Sequence, residues 1–373
     1  MLRFLTAGES HGPSLTAILE GMPAGVPLDL ATLQREMRRR QLGYGRGPRM
    51  QFETDTIELV GGVRRGRTLG SPVALSIKNK DASIDRLPAV TQPRPGHADL
   101  TGAIKYDHRD IRNVLERASA RETASRVAVG AVCKQLLSPL GIGLASHVVA
   151  LGSVRAKPAA ATIARIRKAD ATPLRCLDAA ATKRMVREID ACVKAGDTLG
   201  GVFEVLVEGV PPGLGSHVHY DRRLDAILGR AVLSIHAVKG VEIGDGVLAA
   251  SLRGSQVQDE IFYSKATGFH RSQNRAGGFE GGMTTGQPII VRGFLKPLST
   301  LRKPLRSVEI NTKRPVVATV ERSDVTTVPA AGVVGEAMIA FELARAVLEK
   351  FGGDSLKELQ RNHRNYLQQV RSF

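Results

Sequence analysis

The chain has 373 residues, and 53 lysines and arginines against 36 aspartates and glutamates leave a formal charge of +17. At roughly 150 residues per domain this length suggests two domains, or one large fold built twice. A hydrophobic content of 42% with 24% charged residues excludes wholesale disorder, and no apolar run approaches the roughly 18 residues that cross a bilayer.

The first strand-like run, Leu2–Thr6, leads into the loop Gly8-Glu9-Ser10-His11-Gly12-Pro13. Met1–Thr6 is too short and polar for a secretory signal, so the expected compartment is the cytoplasm, with no membrane partner. A second apolar run, Leu15–Leu19, is followed by the helical pattern Leu30–Arg40, and Val73–Ile77 is β-rich. The loop Lys105-Tyr106-Asp107-His108-Arg109-Asp110 precedes a helix expected over Ile111–Leu137, whose apolar face runs from Val114 and Leu115 to Val132 and Leu136. On a continuous helix Arg117 and Arg121, four apart, would stack along one border of that face. Cys133 falls inside this helix and reads as a small core residue; Cys133, Cys176 and Cys192 have neither disulfide nor zinc spacing.

Ala156–Ala195 is rich in Ala, Lys and Arg and reads as a helical surface connector. The second half brings the strand Val202–Val207, the helical pattern Arg222–Leu233, the β-rich run Ile289–Val291, the polar turn Lys296–Thr300, the strand Val316–Val320 and the loop Arg322-Ser323-Asp324-Val325. A helix over Gly332–Phe351 ends at Gly352-Gly353. The tail from 356 to 373 reads as peripheral.

Two stretches occur twice. Glu20-Gly21-Met22-Pro23-Ala24-Gly25 is echoed by Glu208-Gly209-Val210-Pro211-Pro212-Gly213, each closing a strand and preceding a helix. Gly61-Gly62, Gly66, Thr68, Gly70 and Pro72 are echoed without gaps by Gly277-Gly278, Gly282, Thr284, Gly286 and Pro288. Two echoes in the same order point to a duplicated unit, about 1–140 and 196–353, rather than a solenoid of short repeats.

The surplus positive charge asks for anionic partners. Aromatic residues are only 4% and tryptophan is absent, which argues against base-stacking surfaces for nucleic acid. The densest basic cluster, Arg35, Arg38, Arg39, Arg40, Arg46 and Arg49, is all arginine. Guanidinium forks grip carboxylate or phosphate in two places at once, so small shaped anions suit it better. No dinucleotide fingerprint opens a helix after a strand, no Gly-Lys-Ser/Thr loop exists, and the histidines show no metal spacing. Glycines on both sides of His11 let a ligand approach the backbone closely while the imidazole projects toward it.

Three separated patterns resemble those of the chorismate synthase family: Gly8-Glu9-Ser10-His11-Gly12, then Glu116-Arg117-Ala118-Ser119-Ala120-Arg121-Glu122-Thr123, then Arg322-Ser323-Asp324 with Glu336-Ala337-Met338. Val238–Gly246 and Gly281–Pro288 are similar too, so the likeness spans about residues 3–351 in the family's order. It implies an α+β fold, a β-α-β sandwich of two pseudo-symmetric halves forming one domain over 1–355, assembled as a homotetramer. The implied activity is a lyase of the shikimate pathway. It would eliminate phosphate from 5-enolpyruvylshikimate 3-phosphate with the help of reduced FMN and no net redox change. NADPH would serve as an indirect reductant through an external flavin reductase.

Carried over motif by motif, the resemblance implies catalytic roles for His11 (at the departing phosphate), His108 (near the flavin) and Asp324 (removing a ring proton). It implies FMN contacts at Arg117, Ala118, Ser119, His236, Ala237, Gly281, Lys296, Pro297, Leu298, Ser299, Thr300 and Arg322. Arg40 and Arg46 would bind NADP or the substrate phosphate, with Arg49 and Arg121 as further substrate partners and no metal. His236, Leu298 and Val325-Thr326 depart from the commoner pattern, in which Asn or Pro, a small or polar residue, and Pro-Cys are more familiar.

Overall fold

The computed structural model describes residues 1–47, 53–158, 161–303, 305–321 and 324–373. Runs with alternate apolar side chains form the first sheet: β1 (Arg3–Ala7), β2 (Ser14–Glu20), β3 (Ile57–Gly61) and β4 (Val73–Lys78) lie antiparallel in the order β1-β2-β4-β3. Leu15, Leu19, Val73, Leu75 and Ile77 point inward and are buried, while Leu5 and Ile18, paired across β1 and β2, face out. The second sheet consists of β5 (Gly143–Leu151), β6 (Gly201–Glu208), β7 (Val238–Ile243) and β8 (Ile289–Leu295), antiparallel in the order β5-β6-β8-β7, with Val154–Arg155 beside β5.

The described helices longer than one turn are α1 (Leu30–Gln41), α2 (Asp99–Tyr106), α3 (Thr123–Leu137), α4 (Ile163–Ala169), α5 (Ala179–Ala195), α6 (Leu224–Leu233), α7 (Val328–Phe351) and α8 (Leu356–Ser372), with α4 packed on the outer face of the second sheet. Of these, α3 and α7 form the middle layer, α3 against the first sheet and α7 against the second. Their apolar residues and both sheets' inner faces form one continuous core. Nineteen of the α7 residues are buried, as the centre of a three-layer molecule demands. No helix among the described residues is long and apolar enough to cross a membrane.

Each sheet has the same order when its strands are numbered along the chain, first-second-fourth-third. In each, a helix follows the second strand (α1, α6) and another follows the fourth (α3, α7). The echoed residues also make the same hydrogen bonds. Thr68 Oγ1 donates to Pro23 O at 2.6 Å and accepts from Val26 N at 2.9 Å; Thr284 Oγ1 donates to Pro211 O at 2.6 Å and accepts from Leu214 N at 2.8 Å. Gly21 and Gly209 both have positive φ (+89° and +80°), and a Cβ on either would strike the carbonyl of Met1 or Gly141, just before the first strand of each sheet. The second sheet begins at Gly143, ahead of the boundary at 196 expected from the echo, so 152–200 forms the connection between its first two strands.

The helix expected over Ile111–Leu137 is broken. Only Arg112–Leu115 and Thr123–Leu137 are α-helical, and a 3₁₀ turn, Ala120–Glu122, lies between them. Arg117 and Arg121 therefore do not stack along one helix border. Their guanidinium groups reach instead to β1 and to Asp55, and those long-range bonds override the helix-forming residues of the segment. The expected strand Val316–Val320 reduces to Pro315–Val317, paired with Arg306–Val308. The chain from 356 folds as α8, with Leu359 buried and the Tyr366 hydroxyl donating to Pro212 O at 3.1 Å.

The crossing of α3 and α7 is close because Gly130 faces Ala337: a Cβ there would lie 2.3 Å from both Ala337 Cα and Cβ. Neither backbone can yield without shifting a helix. Gly130→Ala is expected to lower stability by about 1–3 kcal/mol or more, read as the midpoint of urea unfolding. An unchanged midpoint would show that the middle layer slides freely.

Candidate functional site

The loop between β1 and β2 carries His11, and residues 116–117 of the interrupted helix hold that loop. Ser10 N donates to Glu116 O (3.0 Å), and His11 N donates to Glu116 Oε2 (2.9 Å), which also lies 2.8 Å from His11 Nδ1. Arg117 donates to the carbonyls of Gly8 and Thr6 at 3.0 and 2.9 Å and to Thr6 Oγ1 at 2.8 Å. The Glu116 side chain is fully buried, and Arg112 Nη1 lies 3.1 Å from its other oxygen. Burial favours the neutral acid, but the hydrogen bonds and charge of His11, with Arg112, outweigh it and hold the carboxyl below the usual glutamate range.

Asn79, just past β4, ties this loop to a set of arginines. Its Nδ2 donates to Glu9 O and Gly12 O at 3.1 and 2.7 Å, and its Oδ1 accepts from Arg121 Nε at 2.9 Å. Arg121 and Arg40, the latter from the last turn of α1, both pair with the buried carboxylate of Asp55. Arg46 Nε lies 3.2 Å from Asp324 Oδ2, and Gly47 N donates to Asp324 Oδ1. Residues far apart in sequence, Arg40, Arg46 and Arg121, are thus gathered around Asp55, with Asp324 paired to Arg46. Burial presses the Arg46 and Arg121 guanidinium groups below their usual range, against the pull of Asp324 and Asp55, and Arg40 repels both. Arg40 Nε, Arg46 Nη1 and Arg121 Nη2 are buried without a hydrogen-bond partner among the described residues. Buried donors left without an acceptor cost on the order of 1–3 kcal/mol each, so these guanidinium groups favour a further acceptor.

A third group lies at the ends of β7 and β8. Lys296 N donates to Ala237 O at 2.9 Å, and Lys296 Nζ reaches Ser299 Oγ (3.0 Å) and Pro297 O (3.3 Å), both neutral acceptors. Burial, then the nearby Lys239 charge, pushes the Lys296 ammonium below its usual range. Thr198 Oγ1 holds Leu298 O at 2.8 Å. The segment 94–99 backs this turn: Ser299 Oγ donates to Gly96 O at 2.8 Å and Arg94 Nη1 to Thr300 Oγ1 at 2.9 Å, while Asp99 anchors Arg94 and His97. His236 is pushed below the usual histidine range, first by burial and then by the charges of Arg126, His97 and Arg117, with Glu122 opposing. Its buried Nδ1 has no hydrogen-bond partner among the described residues.

Ala118 and Ser119 lie on the irregular stretch before α3, where Ser119 Oγ caps the 3₁₀ turn by accepting from Arg121 N at 3.3 Å. His108 follows the left-handed Asp107 that ends α2, half-buried, its ring 6.3 Å from that of Tyr106. Gly281 sits in the turn between Phe279–Glu280 and Met283–Thr284, where a Cβ would meet His217 Cβ at 3.7 Å. Neither His108 nor Gly281 is joined to the other three groups by these contacts. Arg49 and Arg322 lie outside the described residues. Sequence reasoning gave no role to Glu116, Asp55, Asn79, Arg94 or Asp99. Only Glu116 carried a signal, its place inside a recognised motif; the others are single polar residues in unremarkable contexts.

The metal-ligating residue types form no cluster of three or more among the described residues. Residues 2–348 match the family model for chorismate synthase. The chain is 57% identical over 388 aligned positions to a chorismate synthase of Symbiobacterium thermophilum, covering 99% of each, and 55% identical to one of Solibacter usitatus over the whole of both. A crystal structure of a chorismate synthase superposes with a TM-score of 0.83 at 45% identity, over 100% of this chain and 99% of that one. With a family model matching nearly end to end and a solved relative of the same β-α-β sandwich, the chain belongs to the chorismate synthase family.

Proposed function

We propose that the protein forms chorismate by an FMN-dependent anti-1,4-elimination of phosphate from 5-enolpyruvylshikimate 3-phosphate. Family membership supports the coarser statement, a chorismate-forming lyase of the shikimate pathway. The observation that carries the finer reading is the set of buried guanidinium donors of Arg40, Arg46 and Arg121 that have no acceptor among the described residues. A substrate bearing two carboxylates and a phosphate supplies the missing acceptors, and arginine forks fix its orientation as well as its charge.

The residues at the ends of β7 and β8 fit FMN. Lys296 offers a cation to its phosphate beside the Thr300 hydroxyl, with Ser299 holding the Lys296 ammonium in place, and His236 offers a buried ring nitrogen without a hydrogen-bond partner among the described residues. When bound, reduced FMN supplies an electron-rich ring beside the substrate, which favours loss of the allylic phosphate without net redox change. His11 would hold a proton at the departing phosphate oxygen, and Asp324 would take the ring proton from the carbon that becomes unsaturated. His108 would stand by the flavin's charged edge. The sandwich layers and the arginine wall would keep water from the reacting carbons.

The same reading gives the partners: a small anionic substrate, no nucleic acid or membrane, and a cytoplasmic homotetramer. Reduced flavin would come from an external flavin reductase, with NADPH as indirect reductant.

The test is an anaerobic assay with reduced FMN and the enolpyruvyl phosphate, scoring chorismate and inorganic phosphate together. Equal amounts of both, over many turnovers per FMN, are expected. No chorismate overturns the proposal. NADPH consumed in step with product would make the protein a flavin oxidoreductase, and salt-sensitive binding to arbitrary duplex without need of flavin would make it a nucleic-acid binder.

A further inference from the structure

The geometry points to Glu116 as the positioning residue of His11: its buried carboxylate holds the imidazole by Nδ1 and by the backbone, so that Nε2 is the nitrogen presented to the substrate. This rests on the role proposed above for His11, but the contacts stand apart from it. One oxygen, Oε2, accepts from His11 N at 2.9 Å and lies 2.8 Å from Nδ1. The backbone of Glu116 closes the arrangement, its carbonyl accepting from Ser10 N at 3.0 Å. A carboxylate accepts hydrogen bonds and donates none, so the ring must carry a hydrogen on Nδ1, leaving Nε2 as the atom that would take up and hold the proton at the departing phosphate. Nε2 then lies on the far side of the ring, where Asp81 Oδ2 is 3.9 Å away, within ion-pair distance of the protonated ring.

Arg112 makes the arrangement rigid. Its guanidinium lies 3.1 Å from Glu116 Oε1 and 3.6 Å from Glu321 Oε1, with Nε donating to Pro88 O at 2.8 Å. Glu116 and Glu321 hold matching places in the two halves of the fold. Each is followed by arginine, and each lies seven residues before the helix of the middle layer, α3 at Thr123 and α7 at Val328. One cation thus bridges equivalent glutamates from both halves. The glutamate of the first half carries His11 on its other oxygen.

The experiment uses Glu116→Gln in the full chain, with Glu116→Asp taking its place should the glutamine variant not fold. Three readouts separate positioning from a merely structural role. kcat is expected to fall by up to about 10⁴-fold, the loss seen when the carboxylate partner of a catalytic histidine loses its charge, while KM for the enolpyruvyl phosphate stays within about threefold. In the His11→Ala background the substitution is expected to cost almost nothing further, because its effect passes through the imidazole. In ¹⁵N-histidine-labelled protein, the His11 signal, identified by its loss in His11→Ala, is expected to show the hydrogen on Nδ1 in wild type and a shifted tautomer in Glu116→Gln.

An unchanged tautomer, or an equal loss of turnover with and without His11, overturns the proposal. The tautomer is read without substrate or flavin. It therefore decides the role of Glu116 even if wild type proves inactive on the enolpyruvyl phosphate, the result that would sink the function instead.

Discussion

Glu336→Gln is expected to lower stability at neutral pH by about 3–5 kcal/mol, the range for breaking a buried ion pair from one side. The Glu336 side chain is wholly buried on α7 and joins four elements. Arg39 of α1 grips it bidentately at 2.8 Å, Lys134 of α3 reaches Oε2, Arg175 lies 3.1 Å from Oε1, and Ser146 of β5 donates its N and Oγ at 2.8 and 2.6 Å. Glu36 and Asp170 complete the set, so three cations face three carboxylates. The glutamine keeps the shape and removes one negative charge, which leaves a surplus cation largely shielded from water.

The pH dependence carries the sign. Burial alone would favour the neutral acid, but the charges of Arg39, Lys134 and Arg175 outweigh it and hold Glu336 well below the ordinary glutamate value of 4.5. A carboxyl depressed in the folded state stabilises fully above its unfolded value, and that stabilisation is lost as pH falls through the folded one. The gap between wild type and Glu336→Gln should thus be constant near neutrality and narrow once the pH drops below 4.5. Urea unfolding across this range measures it. A gap under about 1 kcal/mol at neutral pH would mean that the network is hydrated and weak.

His11→Ala should abolish measurable turnover, or reduce it by about 10²–10⁴, the usual worth of a positioned proton donor. The fold should survive, because Glu116 keeps Arg112 and the backbone N–H at position 11, neither of which the substitution removes. Turnover and thermal midpoint measured on the same preparation decide the matter. Near-normal turnover would remove His11 from the chemistry, whereas a collapsed midpoint would make it a structural histidine. The contrast with Glu336→Gln is informative: one lowers stability through a network remote from His11, the other should lower activity at a loop that the fold tolerates losing.

Much of the architecture was legible in the amino-acid order because it is enforced locally. Gly21 and Gly209 need positive φ, and Thr68 and Thr284 bind turns built on Pro23 and Pro211, so the repeat left its mark at fixed spacings. Strand and helix periods were readable for the same reason, as each residue's neighbours two, three or four positions away decide which side of an element is apolar. His11 and the motif around Arg117 stood out through glycine context and family likeness. The tertiary structure alone decided the break at 116–122, where Arg117 leaves a helix-forming segment to bind the carbonyls of Thr6 and Gly8. It alone made Asp55 the centre on which Arg40 and Arg121 converge, and placed Arg94 against Thr300. Such partners lie tens to hundreds of positions apart, and a buried charge takes whichever opposite charge the completed fold brings within reach. No local rule of spacing or propensity encodes that choice.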